Sequence, residues 1–432
     1  MVNFLDSLNL EPIIPILNPF WLVFKTWWWA FLPFILFPYL RFFYLWYIQS
    51  KWDATIEKIL LEIKIPKEIE RPMKAMEQVF SNFWTLYDPP NWKEKWLEGH
   101  FLLSFALEIV SIEGDIHFFL RVPKHLRGMF EAAIYSQFPD VEISEVPDYT
   151  KFVPQDIPNK DWDLFGWDFV LTKESCYPIK TYPKFFEEQE GVKEEKRVSA
   201  MSVLLEGMAD LKKGEQMWLQ IIAKPISDEV PWVKEGKEEV DKLVHRPPKP
   251  KQKSIIMEVA DVLIKGKPPG AEEKPKEGMF LPEMELTSGE KDIVKAIENK
   301  ISKLAFETNI RFLYLGKREV FFKPRVKIAL DFSAGVSVSA LNGMKPWKTT
   351  ITRIVPPALF RERNVYLKKK RLFRRYVMRT SPLFPKPGGT FVLNTEELAT
   401  LYHFPGRMMA PSLKIPRVEA KKAGPPTGIP TE

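Results

Sequence analysis

Between Glu11 and Lys51 only Lys25 and Arg41 are charged, and a nearly uncharged run of that length has few fates. A helix needs ~20 apolar residues to cross a bilayer core of about 30 Å, and the segment Thr26–Ile48 meets that length. Trp27, Trp28 and Trp29 near its start and Tyr44, Trp46 and Tyr47 near its end suit the two interfacial aromatic belts. Arg41 would snorkel from near one end. These features predict an N-terminal transmembrane helix within residues 1–52, with membrane lipid as its partner. The same residues admit other readings. A cleaved signal peptide fits poorly with an acidic start at Asp6 and Glu11. A re-entrant or interfacial segment draws support from Pro12, Pro15, Pro19, Pro33 and Pro38, each of which removes a backbone donor. No Lys or Arg precedes Lys25, whereas Arg41, Lys51 and Lys58 follow the run. The positive-inside tendency then puts the N-terminus outside and the body in the cytoplasm, at the cell (inner) membrane.

Beyond residue 52 the pattern changes to alternating strands and helices, so the expected fold class is α+β. Ile59–Ile65 reads as a strand and Pro72–Leu86 as a helix with Met73, Met76, Val79, Phe80 and Phe83 on one face. Phe101–Ile112 and Ile116–Val122 read as a hairpin turned at Glu113-Gly114-Asp115. A helix over Lys124–Phe138 and a strand over Val141–Val146 complete βαββαβ, a ferredoxin-like unit spanning 53–150. A second such unit is expected over 151–345, from strands at Trp162–Thr172, Met217–Lys224 and Ile310–Leu315 and helices at Val198–Lys212 and Lys291–Phe306. A Pro/Lys/Glu-rich insertion near 228–285 interrupts it, with the composition of solvated loops at Arg246–Lys251 and Lys265–Lys276. Residues 346–432 read as a basic segment followed by an extended connector.

No catalytic site is legible, and the expectation is a protein that is not an enzyme and uses no cofactor. The single cysteine, Cys176, excludes an internal disulfide and a multi-thiolate zinc site. His100, His117, His125, His245 and His403 form no ligand pair at metal-binding spacing. Asn342–Thr349 ends in Lys-Thr, but Asn342 and Trp347 stand where a phosphate loop needs glycine. One cluster stands out in a chain of net charge +7. Arg361, Arg363, Lys368, Lys369, Lys370, Arg371, Arg374, Arg375 and Arg379 are opposed only by Glu362, with Tyr366, Phe373 and Tyr376 interleaved. Such a stretch can contact nucleic-acid phosphates while its aromatics stack on bases, or lie on anionic lipid. Equally, it can be a solvated helix whose charges pair within the protein.

The segments Phe105–Lys124 and Glu131–Asp140 resemble the membrane-proximal region of bacterial type IV secretion and conjugation proteins. In that group a membrane anchor and ferredoxin-like domains precede a hexameric ATPase of the conjugative coupling or HerA-like kind. Gly389–Gly406 and Arg417–Pro425 look like the connector that leads into the ATPase. No ATPase residue can be matched in this chain. The resemblance implies a scaffold component of a transfer machine, working with a separately encoded ATPase and assembling into homo-oligomers. The alternative is a membrane-tethered protein that binds DNA through residues 361–379.

Overall fold

A computed structural model of the protein describes residues 14–66, 72–183, 200–227, 231–244, 286–357, 359–380 and 389–405. The chain divides into two compact units, Met1–Glu57 with Pro89–Leu102, and Lys58–Asp88 with Leu103–Glu432.

In the first unit, helix α1 (Ile14–Thr55) runs unbroken for 42 residues. It corrects the expectation of a transmembrane helix, because no helix among the described residues is long and apolar enough to cross a membrane. The reason is the kind of apolar residue present. Trp and Tyr carry polar N–H and O–H groups, and Pro33, Pro38 and Arg41 dilute the aliphatic stretches between them. The orientation argued from flanking charge presupposes such a span, and none is present among the described residues. A short helical turn, Glu94–Glu98, lies along α1. The Tyr44 hydroxyl donates to the Trp96 carbonyl at 3.0 Å, the Arg41 guanidinium sits 5.2 Å from the Trp96 ring centre, and Trp52 stacks on His100 at 4.6 Å. Gly99 ends the turn with φ +79°, and a Cβ there would meet the Ile48 carbonyl oxygen at 2.5 Å. Only glycine suits both the conformation and the approach.

The second unit is built on one antiparallel sheet. Strand β1 (Lys58–Lys64), helix α2 (Pro72–Phe83), strands β2 (Phe105–Ile112) and β3 (Asp115–Pro123), helix α3 (Arg127–Tyr135) and strand β4 (Glu142–Val146) form one half, in the spatial order β4-β1-β3-β2. This is the split βαββαβ arrangement. Strand β5 (Trp162–Leu171), helix α4 (Ala200–Ala209), strand β6 (Glu215–Ile226), helices α5 (Pro231–Leu243) and α6 (Ser288–Ile301), strand β7 (Ala305–Lys317), helix α7 (Lys327–Gly335) and strand β8 (Met344–Pro346) follow. Their order β6-β7-β5-β8 mirrors the first half, with α7 and β8 completing the motif. Helices α5 and α6 are an insertion in the β6–β7 connection. The helix expected over Lys291–Phe306 is therefore α6 of that insertion, outside the repeat. Residues 245–285, including the Pro- and Lys-rich stretches and His245, lie outside the described residues.

The halves join edge to edge through β2 and β6, paired from Phe105–Ala223 to Ile112–Gln216. One face of the common sheet buries Leu107, Phe118, Leu219, Phe312 and Trp167 beneath α2, α3, α4 and α7. Helix α8 (Arg361–Met378) covers the other face through Leu372, Phe373 and Tyr376, against Val110, Trp218, Leu313 and Leu315. The chain then adds β9 (Phe391–Asn394) beside β7 and helix α9 (Thr395–Leu401), every residue of which is buried. The segment expected to be an extended connector thus contributes a strand and a helix to this unit. Residues 406–432 lie outside the described residues.

Candidate polyanion-binding surface

The strands beneath α8 alternate apolar and polar residues so that one row of side chains crosses the sheet. Directly opposed pairs run Glu62–Phe119, Phe119–Glu108, Glu108–Gln220, Gln220–Arg311 and Arg311–Asp168. Glu108, Gln220, Arg311 and Asp168 are wholly buried, where an unpaired polar group costs several kcal/mol. Each has partners. Arg379 approaches Glu108 with Nε at 2.7 Å and a terminal nitrogen at 3.1 Å, and its fork also reaches Asp148 at 2.8 Å. Gln220 donates to Glu108 at 2.7 Å and Tyr149 at 2.8 Å, so each oxygen of this carboxylate accepts two hydrogen bonds. The Tyr149 proton points at Glu108, so the Tyr376 hydroxyl, 2.8 Å from that of Tyr149, is the donor of their shared bond. Burial first, and Glu108 second, push both phenols well above their ordinary pKa. Burial works to raise the Asp148 carboxyl, but hydrogen bonding to Arg379 and its charge prevail and hold it below the ordinary value. Arg311 donates to Asp168 at 2.7 Å and to the Thr380 carbonyl at 2.8 Å.

This row divides the nine cations of 361–379. Arg379, left-handed at φ +54°, is the C-cap of α8 and is buried on Glu108 and Asp148. Arg375 is half-buried above the sheet. Lys369 pairs with Asp163 at 2.6 Å, and Lys368 points to the Ile351 carbonyl at 3.4 Å, its pKa lowered by burial and then by Arg371. Arg361, Arg363, Lys370, Arg371 and Arg374 are exposed. The spacing of Arg363, Lys370 and Arg374 sets them along one outer stripe of the helix, and they make no ion pair with described residues.

At the amino end of α8 the exposed cations meet others brought by distant parts of the chain. A groove of about 1290 Å³ is lined by Lys160 and Asp163 near the start of β5, Arg318 after β7, and Phe360, Arg361, Arg363, Tyr366 and Lys369. Phe360 is 72% exposed and Tyr366 42%. The cations crowd one another: the Lys323 ammonium, 4.5 Å from the Phe165 ring centre, is pulled below its ordinary pKa by burial, then by Arg353, Lys369 and Arg361.

The remaining sequence candidates have structural roles. Asn342 is buried and bonds through its side chain to Thr172, Lys173, Glu174 and Tyr177, and the residues after Gly343 form β8 rather than a phosphate loop. Cys176 is buried and its thiol is pushed up to about 11, first by burial. Among the described residues no cluster could hold a metal ion. Trp29, Tyr44, Trp46 and Tyr47 are exposed on α1, and the side chains of Trp27 and Trp28 lie outside the described residues. Sequence reasoning missed Glu108, Asp168, Gln220 and Arg311. Their signal was present, since single polar residues at alternating positions inside otherwise apolar strands mark a buried polar row.

Fold and surface together define an α+β protein with two βαββαβ halves in one sheet and a cationic helix on its second face. The family model described as "Domain of unknown function (DUF8128)" matches residues 93–410, and the chain belongs to that family. No curated protein matches it.

Proposed function

We propose that the protein is a scaffold rather than an enzyme, a component of a type IV secretion or conjugative transfer machine that docks a separately encoded ATPase. The observation that carries this reading is the use of the buried ionisable groups. Glu108 with Arg379, Asp168 with Arg311 and Lys300 with Glu397 are each consumed in internal pairs, which fasten a rigid platform and leave its surfaces for partners. The resemblance of Phe105–Lys124 and Glu131–Asp140 to membrane-proximal transfer proteins supplies the machine. In this reading the protein works at the cell membrane. There the aromatic surface of α1, with Ile35, Phe37, Tyr39, Leu40 and Phe43 exposed on several sides, is covered by neighbouring subunits and lipid, because a patch this apolar marks an interaction surface. Native mass spectrometry of the full-length protein in mild detergent tests this: homo-oligomers are expected, and a monomer at every concentration would contradict it.

A second reading, a nucleic-acid-binding protein, is favoured by the outer stripe of Arg363, Lys370 and Arg374. Its signature is DNA affinity that falls steeply with salt.

A further inference from the structure

The second reading leaves open where and in what form a nucleic acid would be held. Most of the outer surface of α8 offers charge alone, which serves any polyanion. The groove at its amino end offers something more. Lys160, Arg318, Arg361 and Arg363 come from three separate segments to one concavity. Two carboxylates also line the groove, against five cations: Asp163, engaged by Lys369 at 2.6 Å and by Arg318 at 3.9 Å, and the exposed Glu362. The Phe360 and Tyr366 rings beside these cations face solvent, although burying them would be favourable. Cations that follow a phosphate backbone next to exposed aromatic faces are what unpaired bases require, since every base has a π-face and base–aromatic stacking tolerates any sequence. Guanidinium forks suit phosphate oxygens in particular. A duplex hides its base faces and would make no use of the two rings.

We propose that this groove binds single-stranded nucleic acid, with phosphates on Lys160, Arg318, Arg361 and Arg363 and bases stacked on Phe360 and Tyr366. The inference rests on the nucleic-acid reading and can fail separately from it.

The test is fluorescence anisotropy on the full-length protein, over a range of KCl, with a labelled oligothymidylate of about 20 nucleotides. Inorganic polyphosphate and vesicles rich in anionic phospholipid are the comparison ligands. Reversing two groove charges, Lys160→Glu with Arg363→Glu, is expected to weaken oligothymidylate binding at least tenfold. It should also flatten the salt dependence, by about 0.7 in the log–log slope for each phosphate no longer neutralised. Lys234→Glu, a reversal on exposed α5, is expected to change binding less than twofold. Phe360→Ala with Tyr366→Ala should weaken oligothymidylate about tenfold and leave polyphosphate unchanged. Equal losses for both ligands would make the groove a general polyanion site and overturn the proposal, as would binding to vesicles alone. If Lys370→Glu with Arg374→Glu abolishes binding while the groove reversal does not, the nucleic-acid reading stands and the groove falls. Absence of any oligothymidylate binding overturns both. Circular dichroism of each variant separates lost binding from lost fold.

Discussion

At the scale of single residues, the cost of burying charge decides most outcomes. Glu108 accepts four hydrogen bonds while wholly buried, and Arg379 supplies two of them from the end of α8. Breaking one side of such a pair strands the other, at about 3–5 kcal/mol. Arg379→Met is therefore expected to lower the unfolding free energy by about that amount in urea titrations, far more than any exposed cation of the same cluster. A second residue sets a pH dependence. His403 is buried, with Nδ1 3.0 Å from the Ala399 carbonyl, and burial lowers its pKa to about 4 from an ordinary 6.5. The unfolded chain takes up this proton at a higher pH than the folded one. The stability from a neutral His403 is thus complete above pH 6.5 and is lost as pH falls toward about 4. Thermal melts across that interval should fall steeply in the native protein and less steeply in His403→Gln.

At the scale of elements, α8 shows how one helix serves two surfaces. Its inner face, Leu372, Phe373 and Tyr376, is seated close to the sheet. A Cβ on Gly166 of β5 would clash first with the Phe312 carbonyl oxygen of β7 and would also lie 3.3 Å from a Leu372 methyl of α8. Gly166→Ala is expected to cost about 1–3 kcal/mol through overpacking. Lys370→Glu on the outer face should stay within about 0.5 kcal/mol. Leu372→Ala on the inner face is expected to cost about 2–5 kcal/mol, and effects equal to those of Lys370→Glu in chemical denaturation would show that the two faces had been misassigned. The same helix shows what sequence could and could not reveal. The elements of the first half were legible because each strand and helix is continuous in sequence and its apolar period is clean. In α8 the charges were visible, but which of them face the sheet depends on the register of β2, β5, β6 and β7 below. Positions such as Arg379 and Lys369 are settled by partners more than 200 residues away in sequence, and no local pattern carries that information. The expectation for α1 failed for a different reason. Aromatic abundance imitates membrane hydrophobicity in a sequence, yet Trp, Tyr and Pro supply much less of it than Leu or Ile.

At the scale of the whole chain, the second unit is a repeat closed by its own carboxyl-terminal segment. β9 pairs with β7 in the second half, and Tyr402 and Phe404 then reach the first half, meeting Phe118 at 5.9 and 5.7 Å, with Phe404 also 5.0 Å from Phe138. Lys300 and Glu397, both wholly buried and 3.0 Å apart, tie the inserted helix α6 to α9. The halves are thus held by the β2–β6 seam and by this clasp. Phe404→Ala is expected to cost about 3–5 kcal/mol and to lower amide-exchange protection in α2 and α3 together. Loss confined to the residues around 404 would show that the clasp does not couple the halves.

The scaffold we propose would be defined by what assembles on it. The most direct measurement is a pull-down of the full-length protein from cells lysed in mild detergent, with bound proteins and nucleic acid identified. Recovery of an ATPase carrying a phosphate loop, in stoichiometric amount, is the predicted result. Recovery of nucleic acid with no ATPase would contradict the scaffold reading and make the cationic groove the centre of the protein's function.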